Sequence, residues 1–158
     1  MRGAAPVVLP EALHETLAAA AGIMAVAREP WWVIASAAIA LHGGRVSDVA
    51  DVDILASVAD ARRVARQLGL ELRAPAPHPR FRSEVYLSWG GAPLPVEFMA
   101  GFAVRSGDAW REIVPATRQV VRVGGVALPV PEREELRTIV ESFGRAKDLR
   151  RADLLPRD

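Results

Sequence analysis

Stretches whose apolar residues recur every three or four positions alternate along this chain with shorter runs of apolar–polar alternation, and the two periods predict helices and strands respectively. In "EALHETLAAAAGIMAVA", Leu13, Leu17, Ala20, Ala21 and Met24 share one helical stripe after Pro10, predicting an amphipathic helix that ends by Pro30. "WWVIA" has the aromatic and β-branched composition of a buried strand. It runs into "SAAIALHGG", a short helix with Ser36 as its cap and Gly43 at its end. "VDILAS" is the next strand, and "DARRVARQLG" a helix capped by Asp60 and stopped by Gly69.

Beyond the proline-rich loop "APAPHPRF", the runs "SEVYLSW" and "LPVEFMAGFAV" alternate on either side of "GGAP" and predict a hairpin. "QVVRVGGVALPV" predicts a second hairpin around Gly124 and Gly125. Pro131 then opens the helix "PEREELRTIVESFG", and the basic helix "RAKDLRRADLL" closes the chain. Helices at both ends around a mixed sheet make an α/β (α+β) fold, and the absence of linker composition makes residues 1–158 one domain.

Composition narrows the function more by exclusion than by direction. A formal net charge of +1 gives no general attraction for polyanions, so a nucleotide or nucleic acid must be held by a local arrangement. With no cysteine there are no disulfides and no thiolate metal sites. No leader of signal-peptide type and no apolar run long enough for a bilayer occur, so the expected location is the cytoplasm.

The stretch "SDVADVDILA" places charge inside a strand that otherwise belongs to a core. Residues two apart on a strand share a face, so Asp51 and Asp53 hold their carboxylates side by side while Val52 and Ile54 enter the core. A divalent cation relieves the repulsion of such a pair, and magnesium favours one or two carboxylates plus substrate phosphates. Upstream, the Ala35–Ser36 turn offers backbone N–H groups to a phosphate at a helix N-terminus. Downstream, Glu97 in "PVEFM" is a candidate third carboxylate on a neighbouring strand.

Together "WWVIASAAIALHGG", "DVDIL" and "PVEFM" resemble the nucleotidyltransferase superfamily, the polymerase-beta-like fold, in its small bacterial branch. The C-terminal "GRAKDLRRADLL" is similar to the helix that closes many small members, and the likeness runs from Trp31 to Leu155. The resemblance implies transfer of a nucleoside monophosphate from a nucleoside triphosphate (NTP) to an acceptor hydroxyl, with release of pyrophosphate. It implies Asp51, Asp53 and Glu97 as catalytic ligands of two magnesium ions, and Ser36 as the serine of the nucleotide-holding turn. As partners it implies the NTP and an acceptor that is a small molecule, a protein or a tRNA. For so short a chain it also brings in a homodimer or a small helical partner, as in a toxin–antitoxin pair.

The chain departs from the family pattern where the first glycine of the turn is Ala35, and glycine there permits a positive φ or a close approach of phosphate. Two readings follow: an active transferase, or a catalytically degenerate module that binds a nucleotide or a partner. The third carboxylate is Glu97, where the family more often has Asp. Arg80, Arg82 and Lys147 are further candidates for binding phosphate or acceptor, against the alternative that all three are solvated surface residues. Asp148 is expected to pair with Lys147 or Arg151, Asp48 to cap a loop, and His42 to stabilise a helix C-terminus. The four tryptophans read as core or interface anchors.

Overall fold

A computed structural model describes residues 7–157. Along the chain α1 (Glu11–Ile23) and a 3-10 turn (Met24–Val26) lead to β1 (Trp32–Ile34), which passes without a loop into α2 (Ala35–Leu41). Then come β2 (Val52–Ala56), α3 (Val58–Leu68), β3 (Phe81–Arg82), β4 (Val85–Trp89) and β5 (Val96–Ala100). β6 (Ala103–Ser106), β7 (Ala109–Glu112), β8 (Gln119–Val123), β9 (Val126–Val130), α4 (Arg133–Ser142) and α5 (Ala146–Ala152) complete the order. Among the described residues no helix is long and apolar enough to cross a membrane.

The central sheet has the order β1-β2-β5-β4 and is mixed: β2 runs parallel to β5, while β1 and β4 are antiparallel to their neighbours. Its register follows from burial. Val52, Ile54, Val96 and Phe98 are fully buried, each worth about 1.5–3 kcal/mol of removed apolar surface. A slip of one residue would turn all four to the opposite face and bring Asp53 and Glu97 inward, so the pattern that builds the core also fixes the carboxylates. α1 packs on β9 and β2, α3 on β4 and β5, and α2 on α4 and α5.

Both expected hairpins form, as β4–β5 and β8–β9. The run "LPVEFMAGFAV" is two strands, however, because Gly101 takes φ +61 and a side chain there would meet Glu84 Cβ at 2.8 Å. That kink carries β6 out of the central sheet and into a second one of order β3-β6-β7.

Two expected caps are different. α3 is capped by Ser57, whose Oγ accepts the Asp60 N–H at 3.1 Å. Asp60 itself is fully buried and accepts the Arg28 and Glu29 N–H groups, both at 2.9 Å, and Arg63 Nη1 at 2.7 Å, tying the turn before β1 to α3. Burial alone would raise the Asp60 carboxyl, but these donors outweigh it and hold it below the usual carboxylate range. Nor does Ser36 cap α2, which has no side-chain cap; the residue before it is the extended Ile34, and the chain turns at Ala35, φ +59. At the far end His42 is the C-cap, as expected, and its Nε2 donates to the Pro131 carbonyl at 2.8 Å. Gly44 follows where any side chain would collide with Ile39.

Candidate active site

β2 and β5 lie side by side with Asp53 level with Glu97, and Asp51 stands two residues before Asp53 on the same face. One oxygen from each of the three carboxylates lies within 4.8 Å of the others. Burial first, then the Glu97 charge, raises the Asp51 carboxyl; Arg151, Lys147 and Arg145 pull the other way. Burial, the Asp51 and Glu97 charges and a hydrogen bond with Glu97 push Asp53 well above the usual range. Three carboxylates this close repel one another. A dication would relieve that repulsion, and a donor set made only of carboxylate oxygens suits a hard ion such as magnesium. The three residues fit the metal that the sequence motif implies.

These carboxylates open on a cavity of ≈ 490 Å³. Ala35 and Ser36 form its wall beside the aspartates, and Arg145, Lys147 and Arg151 approach from α5. Ala35 is the single non-glycine residue with positive φ among the described residues, so the turn keeps the backbone shape for which the family uses glycine while carrying a methyl group. Arg82 also borders the cavity, with its guanidinium 4.7 Å from the centre of the Trp110 ring. Arg80 is not among the lining residues; its Nη1 donates to the Phe143 carbonyl at 3.4 Å, at the end of α4. Asp48 stays outside as well, accepting a bond from Ser47 Oγ at 3.3 Å.

Asp148 pairs with neither Lys147 nor Arg151. Arg145, at the N-cap of α5, holds it with Nε at 2.6 Å and Nη2 at 2.9 Å, and the Arg145 N–H donates to it as well. At the N-cap Arg145 is three residues before Asp148, so the carboxylate closes the first turn and takes the guanidinium together. Lys147 and Arg151 keep their charges for the cavity.

Tyr86 is a functional candidate that sequence reasoning missed. Ser88 lies opposite Glu97 across the β4–β5 ladder, so Tyr86 is the diagonal neighbour of Glu97 on the same face. Burial first, then the Glu97 carboxylate beside it and the Asp53 and Asp51 charges, raise the phenol above its ordinary value. Tyr86 is thus a candidate donor to the third carboxylate. The signal was present in "SEVYLSW", where Tyr86 and Ser88 alternate onto one face, but it becomes legible only once the hairpin register is known.

No family model matches the chain, and no curated protein does. Solved structures do. The chain superimposes on a candidate nucleotidyltransferase, TM1012, of Thermotoga maritima, with a TM-score of 0.70 and 23% identity over 92% of each chain. It also matches the antibiotic-resistance factor ANT(2″)-Ia, with a TM-score of 0.53 and 14% identity over 90% of this chain and 80% of that one. A structure of ANT(2″)-Ia in complex with adenylyl-2″-tobramycin gives 0.51 and 13% over 89% and 83%. The chain has the nucleotidyltransferase fold that its motifs predicted.

Proposed function

We propose that the chain is a magnesium-dependent nucleotidyltransferase that moves a nucleoside monophosphate from an NTP to an acceptor hydroxyl. The observation that carries this reading is the convergence of Asp51, Asp53 and Glu97 within 4.8 Å beside the Ala35–Ser36 turn.

The chain's own groups divide the work. Backbone N–H groups at the start of α2 and the side chain of Ser36 receive the phosphates, and Lys147 and Arg151 neutralise them from α5. Arg145 spends its charge largely on Asp148 and so closes the first turn of α5. Asp51, Asp53 and Glu97 would hold the magnesium ions, with the Tyr86 phenol beside Glu97 as a donor to it. What magnesium supplies when held there is charge neutralisation at the phosphate oxygens and an acidified acceptor hydroxyl. In the transfer the acceptor oxygen bonds to the α-phosphorus, the bond from that phosphorus to the bridging oxygen breaks, and pyrophosphate leaves. The hydroxyl proton passes to a carboxylate of the triad. We infer a cytoplasmic location from the need for NTP and magnesium, and read residues 1–158 as one domain.

Calorimetric titration with ATP, GTP, CTP and UTP, with and without magnesium, tests this reading. Magnesium-dependent binding by wild type that is lost in the Asp51→Asn, Asp53→Asn double variant is the expected result. Equal binding by the double variant would overturn it. A second reading, a nucleotide- or partner-binding module without turnover, is favoured by one observation, the methyl group that Ala35 carries at a strained turn lining the cavity. Any measured pyrophosphate release that depends on Asp51 and Asp53 would eliminate it.

A further inference from the structure

Between α3 and β3 the chain runs beside the cavity without helix or strand, as "ELRAPAPHP", residues 71–79. The segment is exposed except at the partly buried Pro75, yet Pro75, Ala76 and His78 line the cavity. Both of its ends are pinned. The Leu70 N–H donates to the Ala65 carbonyl of α3 at 2.9 Å, and the Arg80 carbonyl accepts the Arg105 N–H at 2.9 Å. Among the described residues no hydrogen bond or ion pair joins residues 71–79 to the rest of the domain; those they make are local, Arg73 on Glu71 at 3.0 Å and the Arg80 N–H on His78 Nδ1 at 3.0 Å. A segment with so few ties opens and closes at little cost in free energy.

Its composition makes it a strut rather than a loose coil. Pro75, Pro77 and Pro79 fix their own φ angles and keep Ala74, Ala76 and His78 extended. At about 3.1 Å per residue the stretch from Ala74 to Pro79 reaches about 15 Å, enough to cross a cavity of ≈ 490 Å³. Among the described residues a single ring contact tethers it: the His78 ring stacks on Phe81 with centroids 4.9 Å apart. Phe81 also carries the Arg145 guanidinium, 5.0 Å from its ring centre, and Arg145 is the N-cap of α5, the helix that brings Lys147 and Arg151 to the same cavity. The tether of the segment and the helix of the phosphate-facing cations therefore meet at one ring.

Given the transferase reading above, on which this rests, we propose that residues 71–79 are a lid, latched through His78 on Phe81, that closes over bound magnesium-nucleotide. A nucleotide held between the Ala35–Ser36 turn and the α5 cations fills space that Pro75 and Ala76 border, so the strut gains contact with it and shields the phosphates from water. Arg73 stands at the start of the strut, 82% exposed and outside the cavity lining. The Arg73–Ala74 bond is thus a trypsin site that reports on the segment without touching the ligand.

The test is limited trypsin digestion of the full chain, with cleavage after Arg73 followed by mass spectrometry. ATP, GTP, CTP and UTP are each supplied with and without magnesium, and the same mixtures are titrated by calorimetry. Cleavage should slow about tenfold with the magnesium-nucleotide that binds, because proteolysis follows the population of the open segment. Cleavage after Arg118, exposed and outside the cavity lining, is the control for general stabilisation and should change by less than about twofold. Without nucleotide, His78→Ala should speed cleavage after Arg73 about three- to tenfold, the scale of one lost ring contact. His78→Phe keeps a ring, gives up the bond to the Arg80 N–H, and should restore the wild-type rate. A magnesium-nucleotide that binds and leaves cleavage after Arg73 unchanged would overturn the lid while the transferase reading stands. So would His78→Ala digested at the wild-type rate, or His78→Phe digested like His78→Ala. Binding by none of the four nucleotides would remove the transferase reading and the closure with it, and faster digestion of His78→Ala would then support the latch alone.

Discussion

Replacing Ala35 by glycine should stabilise this protein, against the usual effect of glycine in a helix. Ala35 is the first residue of α2 and sits at φ +59, a conformation that costs an L-residue about 1–2 kcal/mol and glycine almost nothing. Against that gain, glycine loses about 0.4–1 kcal/mol through the greater freedom of the unfolded chain. Its missing methyl, only partly buried, removes a further ~0.4 kcal/mol, half the value of a fully buried carbon. The balance is a gain of about 0.5 kcal/mol, or a melting temperature higher by roughly 1–2 °C for a chain of this length. The control is Ala146→Gly, also at the first position of its helix, exposed, and absent from the positive-φ residues; it should lose about 0.5–1 kcal/mol. Urea titration of both variants reads the difference of sign. The same substitution clears the phosphate side of the turn, so magnesium-nucleotide affinity measured by calorimetry should rise several-fold. If Ala35→Gly loses as much stability as Ala146→Gly and nucleotide affinity is unchanged, neither strain nor crowding resides in this turn and the reasoning is wrong.

Tyr86→Phe removes the phenol beside Glu97 while retaining the ring; manganese titration followed by electron paramagnetic resonance should show manganese binding loosened about tenfold or more, with the fold's melting temperature little changed. Unaltered manganese affinity would show that Glu97 needs no such support. Asp60→Ala deletes two N–H bonds and one guanidinium bond to a charged acceptor and should cost about 2–4 kcal/mol at pH 7 by urea unfolding. Because Asp60 is held below its unfolded value, its contribution is fully present above about pH 4 and is lost as pH falls through the lowered native value, so the gap between wild type and variant should narrow on acidification below about pH 4. A gap that does not narrow on acidification would contradict that assignment.

The motif "DVDIL" was legible because a period of two on a strand dictates both a buried face, Val52 and Ile54, and a chemical face, Asp51 and Asp53. Glu97 was legible for the same reason, and its place directly across from Asp53 follows from two apolar faces seeking one core. What could not be read was anything that depends on the register between distant strands or on competition among neighbours. Tyr86 needed the β4–β5 register. Asp148 had three basic residues within reach, and the helix start at Ala146 decided for Arg145, since only the N-cap residue offers both its backbone N–H and its side chain to the same carboxylate. Asp60 looked like a cap because it opens a helical pattern, but Ser57 lies three residues earlier and frees Asp60 to bind the turn before β1.

Ala35 shows how far a motif and its geometry can separate. A glycine is read in the family pattern as permission for an unusual backbone angle, and its loss would ordinarily argue that the angle is gone. Here the angle persists with alanine in place, so it is imposed from outside the residue: Val33 and Ile34 are locked into the core by β1, and Ala37, Ala38 and Ile39 are locked into it by α2 two residues later. Full burial of those five side chains at about 1–3 kcal/mol each far exceeds the strain of one left-handed alanine. The turn is therefore set by the core on either side of it, and what glycine would contribute is room for a phosphate rather than the shape that receives it.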